Sequence, residues 1–243
     1  MPEEAFRHRV WVQLEPVLRA STAIDEYLQA ATDLAGGLIE VSGSYSLSAS
    51  LYGNLTTVAS SDRAAWEADQ VEFDTKAGPC VEALRDGAVH GAIDLGSERR
   101  WPAWTAVAGL LGFVTAAGVP AEIAGGHRLA LNLYAPVPGV FDDETLRRAT
   151  VFAEEVARTV PGAVRLFAAD ERASQLEQAL ASRTTIDQAL GVLMAQNSCS
   201  ADEAFGILRR ASQSRNVKLR DVAALIIERF TGHPAAESPP FRT

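Results

Sequence analysis

Five cations crowd one short stretch near the C-terminal end. Arg209, Arg210, Arg215, Lys218 and Arg220 fall within twelve residues that contain no acidic side chain. Guanidinium and ammonium groups at this density suit an anion with repeated charges, since each cation neutralises one charge and releases the counterions around it. The whole chain has a net charge of −9, so the cluster is set against the overall balance. Residues 1–182 hold 14 Lys and Arg against 25 Asp and Glu, whereas residues 183–232 hold 7 against 5. The first part repels a polyanion and the second tolerates one. A net of +2 is small for a nucleic-acid binder, so the placement of the charges says more than their sum.

These cations need a scaffold, and the apolar spacing supplies it. Ile186, Ala189, Leu190, Leu193 and Met194 form one stripe; Ala204, Ile207, Leu208 and Ala211 form a second; Leu219, Val222, Ala223, Ile226 and Phe230 form a third. Each spacing predicts a short helix whose stripe must be buried. Ser200 with Glu203 makes a capping box for the second helix, and Gly232 suits the end of the third. Arg209 and Arg210 lie late in the second helix, while Asn216, Lys218 and Arg220 straddle the turn that follows, so a tight turn brings the five together. Phe205 stands one step off its stripe, where it either packs or offers a stacking face. Upstream, Leu166, Ala169, Ala173, Leu176, Leu180 and Arg183 follow alternating spacings of three and four, a heptad seam. That seam reads either as a linker helix lying on the first domain or as a parallel coiled coil joining two chains, with small Ala suited to close approach.

Residues 22–160 have a different rhythm. Thr22 to Leu38 reads as a helix. Tyr45, Leu47, Ala49 and Leu51 then alternate with Ser44, Ser46, Ser48 and Ser50, the pattern of a half-buried strand. Gly53-Asn54 marks a hairpin turn into a strand over Leu55 to Ala59. Short helices are expected at Ala64 to Ala68 and, behind Gly78-Pro79, at Cys80 to Leu84, with a strand at Val89 to Ile93. Trp101-Pro102 opens a helix to about Leu111. Phe113 to Ala117 and Val119 to Ile123 read as two strands, and Arg128 to Tyr134 as a third with two unlike faces. Asp142 is the N-cap of a helix toward Val160, which Pro161-Gly162 should kink or break. The order implies an α+β fold, an antiparallel sheet flanked by helices, here expected on one face.

Catalytic chemistry has little to build on. Cys80 and Cys199 match no metal spacing and read as reduced thiols. His8, His90, His127 and His233 are scattered; His90 and His127 are the candidates for haem ligation, against the plainer reading of an ordinary strand or turn histidine. No Ser–His–Asp set and no phosphate-cradling glycine motif is present. The expectation is a non-enzyme without metal or cofactor. No apolar run approaches the roughly 18 residues of a membrane span, and no signal-peptide pattern opens the chain, so a cytoplasmic location is expected.

Ser182-Arg183-Thr-Thr-Ile-Asp-Gln-Ala-Leu-Gly-Val-Leu-Met194, Ala201-Asp-Glu-Ala-Phe205, Leu208-Arg-Arg-Ala-Ser-Gln213 and Asn216-Val-Lys-Leu-Arg-Asp-Val-Ala223 resemble an ANTAR domain, a three-helix RNA-binding module of transcription antitermination regulators. Gly78-Pro79-Cys80, Asp94, Trp101-Pro102, Leu129-Ala-Leu-Asn-Leu-Tyr134 and Phe141-Asp142 resemble the GAF domains that precede such modules in actinobacteria. The resemblance implies an N-terminal extension at 1–21, a GAF sensory domain at 22–160, a linker or coiled-coil helix at 161–182, an ANTAR module at 183–232 and a disordered tail at 233–243. It implies a regulator in which paired modules grip a two-stem-loop RNA that displaces a terminator. Its candidate partners are RNA stem-loops, a second copy of the chain and RNA polymerase. Candidate RNA contacts are Arg183, Phe205, Arg209, Arg210, Asn216, Lys218 and Arg220; the dimer seam is Leu166, Ala169, Ala173, Leu176 and Leu180. Many members carry Lys where this chain has Leu190, and any contact made by that Lys is missing here. A pocket for an unknown small molecule is expected between the sheet and the loops around residues 74–104. Some GAF-fold proteins reduce methionine sulfoxide with several cysteines, but this region has Cys80 alone. The rival functions are a DNA-binding helix-turn-helix regulator, disfavoured by the apolar run Ala223 to Ile227, and a sensory or interaction protein with an inactive ANTAR module.

Overall fold

The computed structural model describes residues 2–51, 54–92 and 94–233. Gly53 of the expected hairpin turn, Ile93 of the expected third strand and residues 234–243 of the expected tail lie outside them. The chain divides into two compact units, residues 1–167 and 168–243.

The first unit contains α1 (Glu3–Ala20), α2 (Ile24–Ile39), β1 (Ser44–Leu51), β2 (Asn54–Ser60), α3 (Arg63–Thr75), α4 (Pro79–Asp86), β3 (His90–Ala92), α5 (Pro102–Leu110), β4 (Thr115–Ile123), β5 (His127–Ala135) and the start of α6 (Asp143–Asn197). Its five strands form an antiparallel sheet in the order β2-β1-β5-β4-β3. The α+β architecture read from the sequence is present, but helices cover both faces. On one face Leu47, Leu131 and Leu133 pack with Tyr27, Ala31 and Ala35 of α2 and Phe152, Val156 of α6. On the other, α3, α4 and α5 lie over Ser46, Ser48, Asn132 and Tyr134, all buried. The serine face of β1 looks solvated by alternation alone. It is instead roofed by a helix that brings polar partners.

The residues read as an N-terminal extension form α1, whose Phe6, Val10 and Leu14 recur every four positions and join the core under α2 and α6. Arg7 fastens this helix: its Nη1 donates to Glu155 at 2.9 Å and its Nη2 to Glu154 at 2.8 Å. Burial of Glu155 makes that pair more than a solvated surface contact.

Three local expectations fail for identifiable reasons. The helix at Ala64 to Ala68 is longer, Arg63–Thr75: Asp62 caps its start by accepting from the Ala65 amide at 2.9 Å, and its buried face runs on through Asp69 and Glu72, polar residues that an apolar period does not count. The two strands flanking Gly118 are one, β4, and Gly118 serves a close approach. A Cβ there would sit 2.5 Å from the Pro79 carbonyl oxygen and 2.8 Å from the Cys80 nitrogen. The break at Pro161 does not occur, since α6 continues to Asn197. Proline removes one rung of the helical ladder, and buried Phe152, Val156 and Ala163 hold the helix on either side of it. The Asp142 cap is as read, accepting from the Thr145 amide at 2.8 Å.

The second unit consists of the end of α6, α7 (Ala201–Arg215) and α8 (Leu219–Thr231). Its core is Ala189, Leu193, Ala204, Leu208, Val222, Ala223 and Ile227; six of these are stripe residues, while in α8 Ile227 takes the buried position in place of the expected Ile226, which is only partly buried. The first of the three expected helices is thus the last part of α6. The stripe ends Met194 and Phe230 remain largely exposed.

Candidate nucleic-acid interface and buried polar core

The α7–α8 junction is tight. The capping box fixes the start of α7, with the Glu203 amide donating to Ser200 Oγ and the Ser200 amide donating to Glu203 Oε2 at 2.9 Å. Asn216 ends the helix in the left-handed region at φ 51°, a conformation that Asn tolerates better than most residues. The Val217 amide then donates to the Ser212 carbonyl at 3.1 Å, and Ser212 Oγ donates to the Val217 carbonyl at 2.6 Å. Lys218 begins α8 without any side-chain cap. The start of α8 lies beside Lys218 and Arg220, where the helix dipole favours negative charge, and Asp221 already occupies its first turn.

All seven candidate RNA contacts are exposed. Phe205 and Arg209 are four residues apart on α7 and so share a face; Ala204 and Leu208 take the core positions instead. Of the two readings of Phe205, the structure gives the exposed ring. Among the described residues Arg209, Arg210, Arg215 and Lys218 form no ion pair, while Arg220 approaches Asp221 at 3.3 Å. Arg183, on α6, lies 3.9 Å from Asp187. Leu190 packs against the small core, which is what an apolar residue at that position contributes.

Residues 169–181 of α6 are exposed throughout. The seam residues Leu176 and Leu180 are 61% and 46% exposed, and Leu166 is 47% exposed. The seam residues thus lie on an exposed stretch of α6. Ala169 and Ala173 keep it narrow.

The loops around residues 74–104, where a sensory pocket is expected, lie beside an aromatic cluster. Trp101, Trp104, Phe113 and Tyr134 pack there, Phe113 stacking on Tyr134 at 4.9 Å between centroids. Beneath them lies a polar cluster that the sequence reading did not single out. Asp69 accepts from Tyr134 OH at 2.5 Å and Asn132 Nδ2 at 3.0 Å on one oxygen, and from Thr57 Oγ1 at 2.8 Å and Ser48 Oγ at 3.1 Å on the other. Glu72, one turn along α3, accepts the Cys80 and Val81 amides at 2.7 and 3.2 Å. Gly78 is required here, because a Cβ would collide with the Glu72 carboxylate. Burial raises the pKa of Asp69; burial and then the Asp69 charge push Glu72 well above the carboxylate range. Burial followed by these two carboxylates also drives the Cys80 thiol and the Tyr134 phenol upward. Cys80 is thus a poor nucleophile.

The signal for this cluster was present. Serines alternate on β1, and Asn132 and Tyr134 alternate on β5, the partner strand in the sheet. Asp69 and Glu72 are three apart on a helix that also buries Ala65 and Ala68. Asp94, by contrast, only shapes a turn, accepting from the Gly96 amide at 2.9 Å. His90 lies at the surface between Glu82 and Asp86. Among the described residues no group of three or more His, Cys, Asp or Glu is placed to hold a metal, and no helix is long and apolar enough to cross a membrane.

Comparison with known proteins bears on both units. The ANTAR domain family model matches residues 174–227. The GAF domain of a phosphoenolpyruvate-protein phosphotransferase from Acinetobacter superposes with a TM-score of 0.51 at 11% identity, covering 68% of this chain and 97% of that one. The corresponding GAF domain from Coxiella burnetii gives 0.50 at 12% identity, covering 69% and 99%. Free methionine-R-sulfoxide reductase from Neisseria meningitidis, in complex with its substrate, gives 0.50 at 12% identity, covering 68% and 95%. At these identities the likeness is one of fold. No curated protein matches the chain.

Proposed function

From the premise that this chain joins a GAF fold to an ANTAR domain, we propose that it is a non-catalytic, signal-responsive regulator that binds paired RNA stem-loops and promotes transcription antitermination. The observation that carries this reading is the α7–α8 junction: exposed Arg209, Arg210, Arg215 and Lys218, which form no ion pair among the described residues, the start of α8 without a side-chain cap, and the exposed Phe205 ring beside Arg209. Cations and amides suit loop phosphates, and an exposed ring suits an unstacked base. Two copies paired along Leu166, Ala169, Ala173, Leu176 and Leu180 present two such junctions. The second loop then binds at a raised effective concentration. RNA polymerase is the partner on which the RNA rearrangement acts, and the cytoplasm is the setting.

A DNA-binding reading fits less well. The exposed positions of α8 include Asp221, Leu225 and Glu228 beside Arg220 and Arg229, a mixed surface for entering a major groove. The test is a titration of the full chain with a two-hairpin RNA, a single hairpin and duplex DNA of matched length across a salt series. The proposal expects the two-hairpin RNA to bind tightest, with steep salt dependence. Equal binding of duplex DNA overturns it.

A further inference from the structure

Two carboxylates lie in the interior of the first unit without a counter-cation. Asp69 and Glu72 are fully buried on one face of α3. The groups facing them are Ser48 from β1, Thr57 from β2, Cys80 and the Val81 amide from α4, and Asn132 and Tyr134 from β5. From α5, Trp104 spends its indole N–H on the Ala68 carbonyl. Arg100, on the loop before α5, pairs with Glu98 at 2.6 Å and stacks on Trp101. Among the described residues no Lys, Arg or His bonds to either carboxylate. Two negative charges in such a site repel each other and lack hydration, so one must be neutral.

The hydrogen bonds say which one. Asp69 has four donors, enough to hold an ionised carboxylate. Glu72 has two, both on Oε2, leaving Oε1 at 3.5 Å from Tyr134 OH. Tyr134 gives its only proton to Asp69, so its oxygen is free to accept one from Glu72. We propose that Asp69 and Glu72 together hold one buried proton, carried on Glu72 and relayed through Tyr134, which locks the Gly78–Pro79–Cys80 entry of α4 over the sheet. Loss of that proton leaves two like charges under the aromatic roof and loosens it. The first unit then responds to pH, with the proton as the ligand of its interior.

The sign follows from linkage. The folded chain binds one more proton than the unfolded chain at pH values above the ordinary carboxylate range. Stability therefore falls as pH rises through that window, until the folded site itself deprotonates. The readout is available in the intact chain, since all four tryptophans, Trp11, Trp66, Trp101 and Trp104, lie in the first unit. The expected result is a tryptophan-fluorescence Tm that declines between about pH 5 and about pH 8. It is accompanied by an infrared carbonyl band of a protonated carboxylic acid that persists at neutral pH. In Glu72→Gln the band disappears and the pH dependence flattens; Asp69→Asn, which removes the like charge but leaves Glu72 buried, keeps the band and moves its loss to lower pH, and serves if the first variant does not fold. A wild-type chain with no such band, a Tm flat across that range, a band retained in Glu72→Gln, or a band whose pH of loss is unmoved in Asp69→Asn overturns the proposal.

Discussion

At the scale of single residues, the cations of the α7–α8 junction are separable from the fold. Arg209 and Arg210 are exposed and make no ion pair among the described residues, so replacing both by Ala removes charge without removing packing. Each lost phosphate contact lowers the magnitude of the log K against log salt slope by about 0.7 to 0.9. The double variant is expected to bind two-hairpin RNA more weakly, with a slope shallower by about 1.4 to 1.8 and an unchanged circular dichroism spectrum. Arg220→Ala should cost less, because Arg220 already has Asp221 beside it. An unchanged slope in filter binding would move the site elsewhere. Gly78 offers a contrasting residue, buried and sterically committed. Gly78→Ala drives a methyl group into the Glu72 carboxylate, and overpacking of this kind costs about 1–3 kcal/mol. The denaturant midpoint read from tryptophan fluorescence should drop accordingly.

The element scale shows what the sequence made legible and what it concealed. The apolar stripes of α7 and α8 and the capping box at Ser200 were readable because period and cap are local properties. The sheet was readable too, through the alternation in β1 and the N-cap at Asp142. The roof over β1 was not: a serine face looks the same whether water or a helix supplies its partners, and Asp69 stands 21 positions from Ser48. Pro161 misled because a helix gripped on both sides tolerates one missing hydrogen bond. The candidate RNA contacts lie on exposed positions beside locally legible stripes, whereas the buried cluster depends on pairings across the sheet that no window reveals. Along α6 the exposed seam makes its own prediction. Leu176→Glu with Leu180→Glu places like charges on any paired helix, and sedimentation should shift from dimer to monomer. Affinity for two-hairpin RNA should then fall by about 10² or more, toward that for a single hairpin, since the gain from effective concentration is lost. A variant that remains dimeric would assign pairing to another surface.

Across the whole molecule, the two units have unequal means of staying folded. The first has a large core reinforced by the Arg7 ion pairs and the Tyr27–Thr159 hydrogen bond at 2.6 Å. The second rests on seven buried residues, three of them Ala, and small cores of this kind are marginal on their own. A ligand that binds only the folded second unit should therefore show its effect there. At 100 times the dissociation constant, linkage adds about 2.7 kcal/mol to the unit that binds. Because the tryptophans all report on the first unit, the two responses can be read separately in one sample. Two-hairpin RNA is expected to raise the melting temperature of the helical signal contributed by α7 and α8 and leave the tryptophan transition in place. Acidification within the folded range should do the reverse, raising the tryptophan transition through the buried proton. If RNA instead moves both transitions together, the units share one cooperative equilibrium. In that case the proton held by Asp69 and Glu72 and the RNA bound at the junction must influence each other's affinity by the same factor.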